Sequence, residues 1–253
     1  MSVGGLITVI IPTRNAGVVI DACLESLRIQ KYRQYEVCVI DGLSTDDTVE
    51  KVNAYAGTVG EALTCLSEPD LGVYDAMNKG IARARCEWLY FLGADDVLHD
   101  ADVFSDVTKF IAADDADIVY GDVVEKNSLA RYGGEFSLDR LLFESNLCHQ
   151  GAFYRRALFE RLGGYNTRYP IWADWEFNIR CFRYPEIRAR WMDRLIAVYR
   201  EKSGISREED PVFSKELPVI LMRESAARQK NRARATGSTT WSRLCGSLFR
   251  WLN

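Results

Sequence analysis

The chain has 253 residues, 47% of them hydrophobic, which suits one large α/β domain with a substantial core or two small ones. A net charge of −4 argues against a general nucleic-acid binder, which needs a basic face. The charge is uneven, however: Met222 to Asn253 carries +6, leaving −10 on the preceding body, so the tail is expected to have its own partner or surface.

Seven cysteines stand at positions 23, 38, 65, 86, 148, 181 and 245, with no Cys-x-x-Cys pair and no histidine grouped with them. This scatter predicts reduced core thiols in a reducing cytoplasm rather than a disulfide framework or structural zinc. Met1 to Gly5 is too short and too polar for a secretory signal, and no apolar stretch approaches the length of a membrane span. A soluble or peripheral protein is expected.

Leu6 to Ile11 is a β-branched run stopped by Pro12; after the loop Thr13 to Gly17, the spacing of Ile20, Cys23, Leu24 and Leu27 predicts a helix. The unit repeats. Val37 to Ile40 is a strand ending at Asp41-Gly42, and a helix to about Tyr55 opens at Ser44-Thr45-Asp46-Asp47, where Ser44 and Asp47 have capping-box spacing. A third strand near Leu63 to Leu66 leads through Glu68-Pro69-Asp70-Leu71-Gly72 to a helix over Val73 to Ala84. The fully apolar Trp88 to Leu92 is the fourth strand, followed by a helix from Ala101 to about Ala112 and a strand at Ile118 to Tyr120. Such alternation specifies an α/β fold with a mainly parallel sheet and helices on both faces. Beyond Gly121 the pattern weakens, with helices expected at Leu138 to Phe143, Arg155 to Leu162 and Asp174 to Phe182. A strand at Trp191 to Tyr199 and a long polar helix from Pro211 to Arg234 complete the chain's ordered elements.

The fourth strand ends abruptly in Gly93-Ala94-Asp95-Asp96. A buried parallel strand would deliver both acids at its carboxyl end, where open α/β sheets bind ligands. Adjacent carboxylates repel, and a hard cation such as Mg²⁺ or Mn²⁺ keeps both ionised, which points to phosphate chemistry; the same acids also suit the first turn of the next helix. Three more loops should reach that edge: Thr13 to Asn15, Asp41-Gly42, and Asp70 to Asn78. Asp41 at a strand end can bond a ribose hydroxyl or a base N–H, whereas Asp46 and Asp47 suit a helix's first turn. Asp75, Asn78 and Lys79 lie within one helical turn, where Lys79 can reach a diphosphate or simply face solvent.

Four segments together resemble the successive motifs of family 2 glycosyltransferases with the GT-A fold. They are Ile10-Ile11-Pro12-Thr13-Arg14-Asn15, Val39-Ile40-Asp41-Gly42-Leu43-Ser44-Thr45-Asp46-Asp47-Thr48, the stretch from Glu68-Pro69-Asp70 to Asn78-Lys79-Gly80, and Leu92-Gly93-Ala94-Asp95-Asp96. The resemblance runs from about Leu6 to Ser206. It implies a single compact domain over residues 1–206, with a nucleotide-sugar-binding half (1–121) and an acceptor-binding half (122–206), and leaves 207–253 as a helical basic tail. It further implies an inverting transferase that uses a nucleotide-diphosphate sugar and Mg²⁺ or Mn²⁺. By the same resemblance, Thr13 and Asp41 hold the base and ribose, with Pro12, Asn15, Asp75, Asn78 and Lys79 also on the donor. Asp95 matches the last acid of a metal-binding D-x-D-type motif; Gly93 stands where many members carry the first acid, and the adjacent carboxylate of Asp96 can compensate.

Ile171-Trp172-Ala173-Asp174-Trp175-Glu176-Phe177 is similar to the segment in which this family places its catalytic base, and Asp174 matches that base. Ala173 replaces an acid that often precedes it. A carboxylate between two tryptophans is partly desolvated, which favours taking up a hydroxyl proton. Glu176 is the second candidate, and capping the following helix is the alternative role for Asp174. His149 and Ser206, the latter in Gly204-Ile205-Ser206 resembling the family's glycine-serine loop near the diphosphate, are further candidate contacts to acceptor or phosphate.

In the tail, Trp241, Leu244, Cys245, Leu248, Phe249, Trp251 and Leu252 fall within an arc of about 160° at 100° per residue, with Arg243 and Arg250 opposite. Such a helix either closes the domain core or docks on an anionic bilayer; Lys230, Arg232 and Arg234 favour the bilayer. On the bilayer reading the protein is expected at the inner face of the cell membrane, near a lipid-linked acceptor; the family resemblance implies that this acceptor is a saccharide for surface polysaccharide, and no nucleic-acid partner is expected. Two other functions fit less of the sequence. A scaffold subunit without turnover would explain Gly93 and Ala173, and a sugar-phosphate nucleotidylyltransferase would need a glycine-rich phosphate loop after the first strand, which the chain lacks.

Overall fold

The structure, a computed structural model, describes residues 6–59, 62–199 and 208–236. Strands β1 (Ile7–Thr13), β2 (Tyr35–Asp41), β3 (Leu63–Ser67) and β4 (Trp88–Phe91) alternate with helices α1 (Ile20–Arg28), α2 (Thr48–Val59) and α3 (Val73–Arg83). There follow β5 (Val97–Leu98), α4 (Val103–Ala113), β6 (Ile118–Glu125), β7 (Arg131–Tyr132) and α5 (Leu138–Phe143). The last elements are β8 (Ala152–Arg155), α6 (Arg156–Leu162), α7 (Ala173–Phe182), β9 (Ala189–Tyr199) and α8 (Pro211–Thr236).

Among the described residues the strands form one sheet in the order β3-β2-β1-β4-β8-β6-β9-β5, with β7 on β6. The four strands of the first half are all parallel, as their βα alternation requires. Beyond β4 the sheet is mixed: β8 runs antiparallel between β4 and β6, β9 is parallel to β6, and β5 is antiparallel to β9. The sequence pattern misses β8 because Ala152-Phe153-Tyr154-Arg155 is too short to separate from a loop, and β5 and β7 have two residues each.

β1 runs through Pro12 instead of stopping there. The Ile10 carbonyl accepts from Leu92 N on the β4 side, so Pro12, two residues on, turns its ring nitrogen the same way. Pairing with β4 has already ended at Ile10, so the missing N–H breaks no ladder bond. α3 crosses this strand so closely that a Cβ on Gly80 would lie 2.4 Å from Ile10 Cγ2. α1 buries Ile20, Cys23, Leu24 and Leu27 against the sheet, the face its spacing predicts. Rings fill the core around β4 and β8, with Tyr90 stacked on Phe153 at 4.4 Å, and Phe159 of α6 stacked on Phe177 of α7 at 4.2 Å. The six described cysteines are free.

Contacts divide the chain into a unit ending at Phe213 and a second beginning at Ser214. The first unit passes the expected boundary at 206 because Phe213 is fully buried, stacked on Trp175 at 5.4 Å and edge-on to Tyr169. Asp210, also fully buried, takes four backbone N–H groups: Ile171 (2.9 Å) and Trp172 (3.1 Å) on Oδ2, Val212 (3.0 Å) and Phe213 (2.9 Å) on Oδ1. It anchors the segment that enters α7, while in the first turn of that helix Trp175 N donates to Asp174 itself at 2.9 Å. α8 continues to Thr236 with Pro218 in its interior. No helix among the described residues is long and apolar enough to cross a membrane.

Candidate active site

A cleft of about 910 Å³ opens at the carboxyl ends of β1 and β4. From the nucleotide half it is lined by Pro12 to Ala16, Tyr74 and Met77 of α3, and the loop Gly93 to Asp96; from the second half by Asn146, Cys148 to Gln150, Trp172, Asp174 and Trp175.

Thr13 lines the cleft with a buried hydroxyl that has no hydrogen-bond partner among the described residues, a polar atom that a ligand would satisfy. Asn15 adopts φ 49° and is laced to the second motif: its Oδ1 accepts from Thr45 N (2.8 Å) and its N–H donates to Ser44 Oγ (2.7 Å). Asp41, the expected ribose ligand, lies outside the cleft lining, fully buried, and accepts from Ser44 N (3.0 Å), Ser44 Oγ and Ser67 Oγ (2.6 Å). It pins the loop between the second and third strands' ends. The expected Ser44–Asp47 capping box does not form, because Ser44 faces Asp41 while Asp46 Oδ1 accepts from Thr48 N at 3.1 Å.

The third motif departs further from expectation. Lys79 pairs with Glu68 at 3.2 Å and Asp75 at 3.3 Å and donates to the Pro69 carbonyl, so its ammonium is held on the helix surface. Asp75 also accepts from Leu71 N at 3.1 Å. Both amide groups of Asn78 are taken by the backbone of Tyr165, which makes it a strap between α3 and the second half. None of the three lines the cleft; the arginine or lysine that does, among the described residues, is Arg14, exposed and without an ion pair.

Asp95 and Asp96 both reach the cleft, Asp96 nearly fully buried and held by Gln150 Nε2 at 2.8 Å. A Cβ at Gly93 would stand 2.5 Å from Asp96 Oδ2 and 3.2 Å from Asp95 Oδ1, so the glycine leaves its space to the two carboxylates. Behind the loop lies Cys23, whose thiol is pushed well up by burial and by the negative charges of Asp96 and Asp95. No group of three or more His, Cys, Asp or Glu gathers as a metal cage among the described residues. Two carboxylates fit a Mg²⁺ or Mn²⁺ ion that keeps waters and takes its remaining oxygens from a diphosphate.

Asp174 lines the cleft from the second half, 7% exposed. Its Oδ1 accepts from Tyr74 OH (2.7 Å) and Trp175 N (2.9 Å), and its Oδ2 from Asn146 Nδ2 (3.0 Å) and His149 Nδ1 (3.3 Å). Glu176 points elsewhere, paired with Arg180 at 2.9 Å. Ser206 and the tail segment Trp241–Asn253 lie outside the described residues. Sequence reasoning missed Arg14, Tyr74, Asn146 and Gln150. Arg14 and Tyr74 sat inside quoted motifs, whereas Asn146 and Gln150 carried no signal beyond their nearness to His149.

A parallel nucleotide-type half-sheet extended by a mixed second half, with paired acids at the end of β4 inside the cleft, defines a GT-A glycosyltransferase. The chain belongs to glycosyltransferase family 2, whose family model (Glycosyl transferase family 2) matches residues 8–163. A PGL/p-HBAD biosynthesis glycosyltransferase of Mycobacterium bovis is 46% identical over 216 residues, covering 85% of this chain and 84% of that one, and one from Mycobacterium tuberculosis matches equally. Among solved structures, S. aureus TarS 1-349 in complex with UDP-GlcNAc superposes with a TM-score of 0.67 at 21% identity over 79% of this chain, which spans 59% of that fragment. The mannosyltransferase PcManGT from Pyrobaculum calidifontis, in complex with GDP-Man and Mn²⁺, gives 0.64 at 23% identity over 90% of this chain and 75% of that one.

Proposed function

We propose that the protein transfers a sugar from a nucleotide-diphosphate sugar to a hydroxyl of a saccharide acceptor, inverting the anomeric carbon. The observation that carries this is that the Asp95–Asp96 pair and the Asp174 cluster line one cleft. The donor class is supported by the UDP-GlcNAc and GDP-Man bound to the structural neighbours. Thr13 and Asn15 lie on the nucleotide side with Arg14, whose guanidinium suits a diphosphate. Asp95 and Asp96 are the residues that would hold a divalent cation, which would supply neutralisation of the charge on the departing diphosphate.

From the second half, Trp172 and Trp175 offer flat apolar faces to an acceptor, and the Asp174 cluster takes its hydroxyl proton. A cation site and a proton acceptor within one cleft are what a single in-line displacement with inversion uses. The mycobacterial relatives carry PGL/p-HBAD biosynthesis in their names, and the tail from Met222 to Asn253 is strongly basic. The names support glycosyl transfer in a biosynthetic pathway, and the basic tail supports an acceptor met at the anionic inner face of the membrane, which we read as a lipid-linked saccharide for surface polysaccharide. Thermal unfolding with UDP-, GDP-, dTDP- and CMP-sugars, with and without Mn²⁺, tests the donor side. One nucleotide class should raise stability in the presence of Mn²⁺, by about 2.7 kcal/mol at 100 times its Kd. No shift with any of them would refute the proposal.

A further inference from the structure

Gln150 lines the cleft, and its side-chain amide is engaged at both ends. Nε2 donates to Asp96 Oδ2 at 2.8 Å, and Oε1 lies 2.8 Å from the thiol of Cys148, which lines the same cleft. Elementary chemistry fixes which end faces which. A carboxylate that is to meet a cation is ionised and only accepts, so the amide nitrogen must face Asp96. The amide oxygen then meets the sulfur, and because that oxygen also only accepts, the thiol must donate. Burial, reinforced by the charges of Asp96 and Asp174, pushes the Cys148 thiol upward, so it keeps the proton that this bond needs. Donation therefore runs from Cys148 to Gln150 to Asp96.

The backbone that carries the amide is fastened to the strand that carries the acids. His149–Gly151 is a single 3₁₀ turn leading into β8, closed by Gly151 N on the Cys148 carbonyl at 3.0 Å. Tyr90 of β4, itself fully buried, donates its hydroxyl to the Gln150 carbonyl at 2.9 Å, and β4 runs on into the Gly93 to Asp96 loop. A Cβ on Gly151 would stand 2.7 Å from the Gly121 carbonyl oxygen, so the turn is pressed against β6 as well. On the same turn His149 reaches Asp174 at 3.3 Å. One short, tightly packed segment is thus bonded to both sets of acids in the cleft.

Asp96 Oδ2 is the oxygen that occupies the space left by Gly93. An amide proton holds it there, so the carboxylate presents its charge in one direction before any cation arrives. A ligand group that must be ordered on binding costs affinity, whereas one ordered beforehand does not. The same proton eases the repulsion between the adjacent acids while the site awaits its ion.

We infer that Gln150 is a positioning residue of the cation site: it fixes the direction in which Asp96 faces a divalent cation, and the Cys148 S–H fixes which end of the Gln150 amide does so. The inference rests on the metal-assisted sugar transfer proposed above. It adds two residues from the second half of the chain, which act on the ion through Asp96 and do not themselves hold it. Groups that orient a metal's ligands are commonly worth 10- to 100-fold in affinity, roughly as much as a weak ligand itself.

The test is the Mn²⁺ affinity of the full-length protein with UDP, GDP or dTDP, whichever raises its thermal stability most. Affinity is read from the electron paramagnetic resonance signal of unbound Mn²⁺ against the same titration without protein, and the metal-free unfolding temperature is measured alongside. Gln150→Met, close in size but without the amide, should weaken Mn²⁺ binding about 10- to 100-fold while the unfolding temperature falls by less than about 4 °C. Cys148→Ser, which keeps a donor, should bind Mn²⁺ at least about threefold more tightly than Cys148→Ala, which has none. Affinity within about twofold of the unsubstituted protein in Gln150→Met overturns the inference and leaves the metal-assisted transfer standing. Should Gln150→Met fail to fold, equal Mn²⁺ affinity in the two Cys148 variants overturns it. If the unsubstituted protein binds no Mn²⁺ with any of the three nucleotides, the metal-assisted transfer fails and the inference fails with it.

Discussion

Tyr74 and Asp174, 100 residues apart in the chain, are joined by a 2.7 Å hydrogen bond from the phenol to Oδ1. The bond links α3, which packs on β1 and β2, to α7 in the second half, so one buried polar contact sets the two cleft walls in register. The phenol also reaches the Ile171 carbonyl at 2.6 Å, and burial, reinforced by the Asp174 charge, pushes its pKa well above the usual range. It is therefore a permanent donor.

Removing that donor tests its importance. Tyr74→Phe keeps the ring against Tyr165 and deletes only the hydroxyl. A hydrogen bond to a charged group is worth about 1.5–3 kcal/mol, so kcat should fall about tenfold or more. Steady-state kinetics alongside thermal unfolding separate the catalytic loss from a general loss of stability.

Gly93→Asp would place an acid where the family resemblance expects one, yet here it should weaken metal binding. The new Cβ meets Asp96 Oδ2 at 2.5 Å, so the Asp96 carboxylate must leave its place against Gln150. Mn²⁺ affinity, followed by titration of turnover with the metal, should drop about tenfold, with about 1–3 kcal/mol lost in stability from overpacking. Tighter Mn²⁺ binding would show that the two acids do not share the space Gly93 leaves.

Two basic residues of the nucleotide half, Arg14 and Lys79, should respond differently to truncation. Arg14→Ala should raise the donor KM about tenfold or more by deleting a charged contact to the diphosphate. Lys79→Ala should change it by less than about threefold, because the ammonium is already paired with Glu68 and Asp75. Donor KM values for the two variants decide between them.

The contrast between Arg14 and Lys79 also marks how far the sequence could be read. Local pattern sufficed for the parallel half: apolar runs ending at Asp41 and Asp95, and helical spacing in α1 and α3, place four loops on one sheet edge. It also put α5 at Leu138–Phe143, as observed. Side-chain direction was not legible, since helical spacing brings Asp75, Asn78 and Lys79 together without saying that they face Glu68 and Tyr165 instead of the cleft. In the second half the helices α5, α6 and α7 and the strand β9 were legible to within two residues, but the mixed strand pairing was not, for a different reason. β8 is four residues long and pairs with β4 and β6 across long stretches of chain, so its antiparallel insertion is a tertiary outcome. The hydrogen bonds around Asp174 arise the same way, drawing Tyr74 from α3 and Asn146 and His149 from the stretch between α5 and β8.

Asp210 lies outside every motif, yet its four backbone donors make it a strong stability position. Asp210→Ala leaves N–H groups at the starts of both α7 and α8 without their acceptor, which should cost about 2–4 kcal/mol in a denaturant titration. Because α7 carries Asp174, turnover should fall as well, and Asp210→Asn, with one acceptor oxygen left, should lie between the two.

The central claim is that Asp95 and Asp96 join a divalent cation to the diphosphate of a donor sugar, and calorimetric titration of the donor identified by thermal shift tests it most directly. With Mn²⁺ present the donor should bind saturably, and binding should weaken at least about tenfold on chelation of the metal or in Asp95→Asn. Equal affinity with and without Mn²⁺, unchanged in Asp95→Asn, would contradict the claim.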